Sequence, residues 1–411
     1  METSCVIAGG GPAGMMLGLI LARAGLDVVV LEKHADFFRD FRGDTIHPST
    51  ITLLGELGLR ERFLALPHNS IRTLDAVVNG TRLHPIDFGR LGPPDDFLVL
   101  APQWDFLNFL AAEAAQYPGF HLLMETEATG VIEEAGIIRG VTVDGPDGAL
   151  EVRAPLTIAA DGRDSIVRRA AGLRPRAFGV AIDVLWFRIP KPAVVPPSTL
   201  AYVDRGGMIV TIDRGDYYQT GLIIPKGGFD ELKAAGLEEF HRVLAGIAPV
   251  LKPVVGSIES WDDVKLLSVQ IDRLERWYRS GLLAIGDAAH AMSPAFGVGV
   301  NYAIQDAVAA ANALVAPLRT GAVDLRVLDA VQERRLPPVA RMQGLQLAAH
   351  RRIARPGGAA ILPDPAPEPL RLALDAAMPL LQRVSARVIG RGFLPESLAP
   401  ELREPARVAA V

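Results

Sequence analysis

The chain is short of several things, and each shortage closes a class of function. It has a single cysteine, Cys5, in 411 residues, so no intrachain disulfide forms. No Cys/His cluster with ligand spacing points to a metal site, and no metal is expected. Cys5 sits among Val6, Ile7 and Ala8, which suits a small buried hydrophobe better than a reactive thiol. No apolar run approaches the roughly 18 residues of a membrane-spanning helix. The chain enters a strand almost at once, with no targeting segment before it, and the expected compartment is the cytoplasm. Basic residues are not in excess: 42 Lys and Arg stand against 47 Asp and Glu, a formal net charge of -5. A nucleic-acid surface needs the opposite balance, so no nucleic acid is expected as a partner. What is present is ordinary globular material, 49% hydrophobic and 22% charged, enough for two or three domains.

The first fifty residues carry the most readable pattern. Residues 4–8 (SCVIA) and 28–31 (VVVL) are short apolar runs, and GPAGMMLGLILARAG between them has apolar residues at helical spacing. The order is strand, tight turn, helix, strand. The turn reads Gly9-Gly10-Gly11-Pro12-Ala13-Gly14, a GxGxxG pattern. Gly9 suits the tight turn, Gly11 the approach of backbone to a pyrophosphate, and Gly14 the packing of helix on strand. The helix N-terminus offers free N–H groups and a positive dipole end. Glu32 ends the second strand near the roughly 20-residue spacing at which an acid meets ribose hydroxyls. In this context dinucleotide binding outweighs a plain glycine-rich turn, without a choice between NAD and FAD.

Two later segments make that choice. In LTIAADGRDSIVRR (156–169) an apolar strand ends at Ala160, Asp161-Gly162 turns, and Ser165 is placed to cap a short helix carrying Arg168. In LLAIGDAAH (282–290) another strand ends in Gly286-Asp287, and a loop from Met292 to Gly299 leads into a helical stretch. Asp161 and Asp287 each stand at a strand's C-terminal edge, where doubly wound sheets bind ligands. Either one alone reads equally well as a turn aspartate.

Together these segments resemble the class A flavoprotein monooxygenases, the p-hydroxybenzoate hydroxylase family, over roughly residues 4–315. The resemblance implies an α/β fold: a Rossmann-like FAD-binding domain, an inserted antiparallel β-sheet substrate domain and a helical C-terminus. The implied boundaries are 1–73, 100–178 and 267–345 for a discontinuous FAD-binding domain, 74–99 and 179–266 for the substrate sheet, and 346–411 for the extension. FAD is the implied cofactor, with NADPH or NADH as co-substrate. Its implied contacts are Gly9, Gly11, Ala13, Gly14, Glu32 and Lys33, then Asp161, Gly162 and Arg168, then Gly286 and Asp287. Arg42 matches an arginine near the pyrophosphate, and Gln103 a residue at the ribityl chain. Pro294, Gly297, Gly299, Val300 and Asn301 are implied beside the isoalloxazine ring, with Pro294 and Gly297 nearest the chemistry. The helix that follows points its positive end toward the region where reduced flavin carries negative charge.

The implied reaction is hydroxylation of a small aromatic or related electron-rich molecule through a flavin C4a-hydroperoxide, with O2 consumed. The flavin supplies the hard chemistry and the protein positions it. A reductase or dehydrogenase on the same fold, and a non-catalytic flavin-binding protein, stay open as alternatives. The expected assembly is a monomer or homodimer.

The middle of the chain reads as sheet. Asn79-Gly80, between alternating apolar residues, predicts a hairpin over 74–87, and the segments from 181 to 225 predict an antiparallel sheet. Tyr202 and Tyr218 are the substrate candidates there, against a plainer reading as strand residues. Ile212 stands where the family's clamp serine would be, and Arg214 falls in a turn, which argues against a benzoate substrate. Trp186 begins a WFRIP segment that lacks the second Trp of a halogenase motif and reads as sheet packing. His47, in GDTIHPST, is a candidate proton carrier because its pKa lies near neutrality; a histidine at a helix start is the alternative. His290 reads as structural. Pro363, Pro365, Pro367 and Pro369 mark a stiff linker, and Arg383, Arg387 and Arg391 beyond it read as a solvated helix face.

Overall fold

The structure is a computed structural model that describes residues 1–38, 45–193, 199–204, 207–354 and 367–406. Arg42 and the linker residues Pro363 and Pro365 lie outside the described residues.

Short, unbroken apolar runs form strands buried on both faces, which suits a parallel sheet covered by helices. The strand order is Tyr278–Arg279, Leu282–Ala284, Thr157–Ala159, Cys5–Ala8, Val28–Leu31 and Phe120–Leu123. All neighbours run parallel except the first pair. Ala8 is in register with Ala159, and Ala159 with Ala284. The three motif turns therefore leave the sheet side by side, from one edge. The helices Pro12–Arg23 and Gly299–Thr320 pack together against this sheet, and most of their residues are buried. Gly18 permits the close fit, because a Cβ there would stand 2.8 Å from Val30 Cγ2.

The second sheet has seven strands, in the order Lys265–Leu267, Ile182–Pro190, Tyr217–Pro225, Gly207–Asp213, Thr199–Asp204, Thr73–Val78 and Thr81–Asp87. Its last two strands form the expected hairpin, with Asn79 at φ 47° and Gly80 at φ 74°. Both central residues thus take the positive φ that a type I′ turn requires. Strand alternation gives this sheet two different faces. One face, with Phe187, Ile209 and Leu222, joins Phe240 and Leu244 of helix Leu237–Ile247 in a second hydrophobic core. The other turns toward the first core, against which Ile212 packs. The C-terminal part is helical, through Leu325–Ile353 and Glu368–Ser385. The fold is thus the expected mixed α/β architecture. Among the described residues no helix is long and apolar enough to cross a membrane.

Candidate cofactor and active site

The first turn separates glycines that the chain's own packing requires from one that it does not. A Cβ on Gly9, at φ +109°, would lie 2.3 Å from the Ala160 carbonyl oxygen, and one on Gly14 would lie 2.0 Å from that of Gly9. A Cβ on Gly11 would meet nothing within 4 Å. Among the described residues, Gly11 therefore keeps clear a space that nothing else fills. Helix Pro12–Arg23 starts at this space with no side-chain cap and no acid in its first turn. Its unpaired N–H groups and dipole suit an anion there. Ala13 lies beneath, against Gly286, whose Cβ would be 3.2 Å from that of Ala13. The cradle fits the pyrophosphate of a dinucleotide such as FAD. Glu32 is buried at the end of the second strand, and its Oε1 accepts from the His34 N–H at 3.0 Å. Lys33 forms an exposed ion pair with Glu127 at 3.5 Å.

The second and third turns are tied to each other. Asp161 accepts from the Ser165 hydroxyl and, at 3.1 Å, from the Val167 N–H. Burial raises the Asp161 pKa more than these hydrogen bonds lower it. Ser165 caps the short helix as expected, accepting from the Arg168 N–H at 2.9 Å. The Arg168 guanidinium is buried and donates to the Ala288 carbonyl at 3.0 Å and the Arg163 carbonyl at 2.6 Å. Asp161 and Arg168 thus build the turns. The polar pair left at the sheet edge is Asp287 and Arg163, 3.1 Å apart and about one-third exposed. Sequence reasoning missed Arg163, although it lies inside the second motif. Gly162, at φ +86°, completes that turn.

Behind Gly286 lies a buried charged cluster. The Gly286 N–H donates to Asp306 at 3.0 Å; the same carboxylate takes His290 at 2.5 Å and Arg335 at 2.9 Å. Burial alone would raise the Asp306 pKa, but His290 and Arg335 outweigh it and hold the carboxyl below its ordinary range. Arg335 also reaches Glu396 at 3.1 Å. His290 is structural, as expected.

The loop before the long helix is held from two sides. Phe296 and Gly297 both adopt positive φ, 68° and 64°. Gly297 has to be glycine, because a Cβ would stand 2.6 Å from Thr45 Oγ1. On one side, the Gly297 carbonyl accepts from the Thr45 hydroxyl at 3.0 Å and lies 3.0 Å from His47 Nε2. On the other, the Gln346 amide donates to the carbonyls of Ser293 and Ala295 at 3.1 and 3.0 Å, and His350 meets the Ser293 hydroxyl at 2.8 Å. Pro294 opens the short turn between these supports. Helix Gly299–Thr320 then begins with no side-chain cap and no acid in its first turn, and a Cβ on Gly299 would meet nothing within 4 Å. Val300 is buried. The Asn301 Oδ1 accepts from Ser49 at 2.5 Å and Thr50 at 2.9 Å, so this side chain faces helix Pro48–Glu56.

Two sets of candidates change role. His47 is fully buried, with Nδ1 2.9 Å from the Ile389 carbonyl and Nε2 on that of Gly297. Neither nitrogen is left for a substrate proton, and burial pushes its pKa down to about 4. It is a neutral residue that holds backbone. Tyr202 is in register with Ile209, and Tyr218 with Ile189, on the face that packs against Phe240 and Leu244. They belong to the second core, because period-2 alternation turns both away from the first sheet. The opposite face carries the cross-strand row Trp186, Gly221, Val210 and Ala201, then Arg188, Gln219 and Ile212. Gln103 is half-buried at the start of helix Gln103–Ala114.

Comparison with known proteins agrees with this geometry. The family described as FAD binding domain matches residues 2–344. The 6-methylpretetramide 4-monooxygenase of Streptomyces rimosus is 34% identical over 379 residues, covering 89% of this chain and 88% of that protein. Aklavinone 12-hydroxylase of Streptomyces peucetius is 28% identical over 354 residues, covering 80% and 70%. Among solved structures, OxyS anhydrotetracycline hydroxylase from Streptomyces rimosus superposes with a TM-score of 0.70 at 25% identity, covering 95% of this chain and 76% of that one. PqsL from Pseudomonas aeruginosa, in complex with 2-aminobenzoylacetate, has a TM-score of 0.75 at 22% identity, covering 88% and 99%, a likeness of fold. With three motif turns on one sheet edge, and a space beside Gly11 that the described residues leave open, the chain belongs to the FAD-binding-domain family and is an FAD-dependent monooxygenase that hydroxylates aromatic compounds.

Proposed function

We propose that the substrate is a polycyclic phenol of the aromatic polyketide class, held between the flavin and the seven-stranded sheet. The observation that carries this reading is the likeness to 6-methylpretetramide 4-monooxygenase along nearly the whole of both chains. The sheet supports it. Its row of Trp186, Gly221, Val210 and Ala201 offers a broad apolar surface, and Ile212 stands where a carboxylate clamp would need a hydroxyl. Arg188 is exposed at the border of this face, beside the Tyr217 ring at 5.1 Å.

In this reading the FAD-binding domain comprises 1–73, 100–178 and 267–345, with the sheet of 74–99 and 179–266 as its roof. Gly9, Gly11, Ala13 and Gly14 receive the pyrophosphate, and Glu32 the ribose. Asp287, paired with Arg163, meets the ribityl end. Gln103 is assigned to the ribityl chain, and Arg42, outside the described residues, to the pyrophosphate. The loop from Pro294 to Asn301 lies along the ring through its backbone. When bound, FAD supplies the transfer of electrons from NADPH or NADH and the activation of O2. The chain's residues orient the two rings and exclude water.

The test is a substrate panel offered to the purified FAD-loaded protein with NADPH or NADH. A tetracyclic polyketide phenol should accelerate nicotinamide oxidation and gain one oxygen atom from isotopically labelled O2, whereas p-hydroxybenzoate should do neither. Acceleration by p-hydroxybenzoate alone would overturn the substrate class. Turnover without label in the product would favour a reductase.

A further inference from the structure

The last described residues form a strap beyond the region that the FAD-binding family matches. It begins as a π-helical turn, Ala386–Arg391. Gly390 seats it: a Cβ there would stand 3.0 to 3.1 Å from side-chain atoms of Leu91, Phe88 and Pro48. The strap then runs along helix Gly299–Thr320. The Arg391 carbonyl accepts from Gln305 at 3.3 Å, the Phe393 N–H donates to the Tyr302 hydroxyl at 3.2 Å, and the Ala399 N–H donates to Asn312 at 2.9 Å. Glu396 adds the buried pair with Arg335.

One contact departs from this lacing. The last carbonyls of a helix lack intrahelical donors, and that of Ile389 is met by His47 Nδ1 at 2.9 Å. The other nitrogen of the same buried ring stands 3.0 Å from the Gly297 carbonyl. A single imidazole thus spans from the strap to the loop that opens the long helix. A neutral ring has one N–H for these two carbonyls. Whichever carbonyl takes the proton, the other has to accommodate a lone pair, so a shift of one is felt at the other. His47 and Ile389 lie in a tightly packed interior that resists continuous deformation, and Gly297 is half-buried at its border.

We propose that His47 is a positioning residue that sets the Gly297 peptide according to whether the C-terminal strap is docked, which makes the strap a working part of the flavin site. This rests on the reading that the loop from Pro294 to Asn301 borders the flavin ring.

Side-chain reach allows the two bonds to be cut separately. His47→Asn retains a donor near Nδ1 for the strap and loses the loop; His47→Gln reaches toward the Nε2 position and loses the strap. Gly390→Val leaves His47 in place and unseats the strap, with Gly390→Ala as the milder substitution where valine prevents folding. Each variant should weaken FAD binding on the order of 10- to 100-fold and shift the visible absorption of the bound flavin. The Gly390→Val/His47→Asn double variant should fall no further than the weaker single one, since both cut one connection. Limited proteolysis near residue 385 reports whether the strap has left. Additive losses overturn the relay. So do wild-type FAD affinity and spectrum in a Gly390 variant whose strap is readily cleaved. Gly297→Ala perturbs the loop directly. If it too leaves FAD affinity and spectrum unchanged, the placement of the flavin against this loop fails, a result distinct from failure of the relay alone.

Discussion

The parallel sheet and the seven-stranded sheet bury their residues by opposite rules. In the first, both faces are covered, and Cys5–Ala8, Val28–Leu31 and Thr157–Ala159 are buried at every position. Only the edge where the strands stop is left for a ligand. In the second, alternate residues go to opposite faces; helix Leu237–Ile247 covers one of them, and helix Glu368–Ser385 reaches the other at its Val78–Val203 end, where Leu374 packs. A ligand can meet this sheet only through side chains on the other face. The first sheet therefore acts through turns and backbone, the second through the residues of one face. Substitutions should separate the two modes.

The largest effect should come from the first turn. Gly11→Val places a branched side chain in the space that the described residues leave open, so FAD binding should be abolished while the apoprotein unfolds near the wild-type temperature. Gly14→Ala should do the reverse, because its Cβ would sit 2.0 Å from the Gly9 carbonyl oxygen. It should destabilise the apoprotein itself, by about 1–3 kcal/mol or more. Fluorescence titration of FAD and thermal unfolding of the apoproteins read both. Normal FAD affinity in Gly11→Val would remove the first turn from the cofactor site.

Local signals explain what was legible in the sequence. The three motif turns, the Ser165 cap and the Asn79-Gly80 hairpin each depend on residues within a few positions of one another, and the structure has them all. Partners far apart in the chain were not legible. Asp306 meets Gly286 from one later helix and is itself held by Arg335 from another, and Gln346 and His350 reach Ser293 from the end of the latter. The partners of His47 are 250 and 342 residues away, at Gly297 and Ile389. Facing was not legible either. Alternation marks Tyr202 and Tyr218 as strand residues, but nothing local says which face the helices will cover.

An intermediate effect should appear with pH. Folding lowers the His47 pKa from 6.5 to about 4. Between those values the unfolded chain binds more protons than the folded one, so stability rises with pH. The contribution is complete above pH 6.5 and is lost as pH falls toward 4. It is worth about 3 kcal/mol. The wild-type apoprotein should lose that much more stability than His47→Asn over this window, measured by denaturant unfolding. Parallel curves for the two proteins would show that His47 titrates normally in the fold and is not buried as described.

The smallest effect should be that of removing the tyrosine hydroxyls, and its smallness is informative. Tyr218 lies in the second core, in register with Ile189. Tyr218→Phe keeps the ring and its packing, so stability should change by less than about 1.5 kcal/mol. KM for the aromatic substrate should stay at its wild-type value, because the hydroxyl is on the face away from the first sheet. Trp186 is the matched control on the other face, in one row with Gly221 and Val210. Trp186→Ala should raise KM and uncouple nicotinamide oxidation from product, with FAD affinity unchanged. The two variants together test the assignment of faces, since each sits on a strand that pairs in the same sheet. A raised KM in Tyr218→Phe with an unaffected Trp186→Ala would invert that assignment and place the substrate on the helix-covered side.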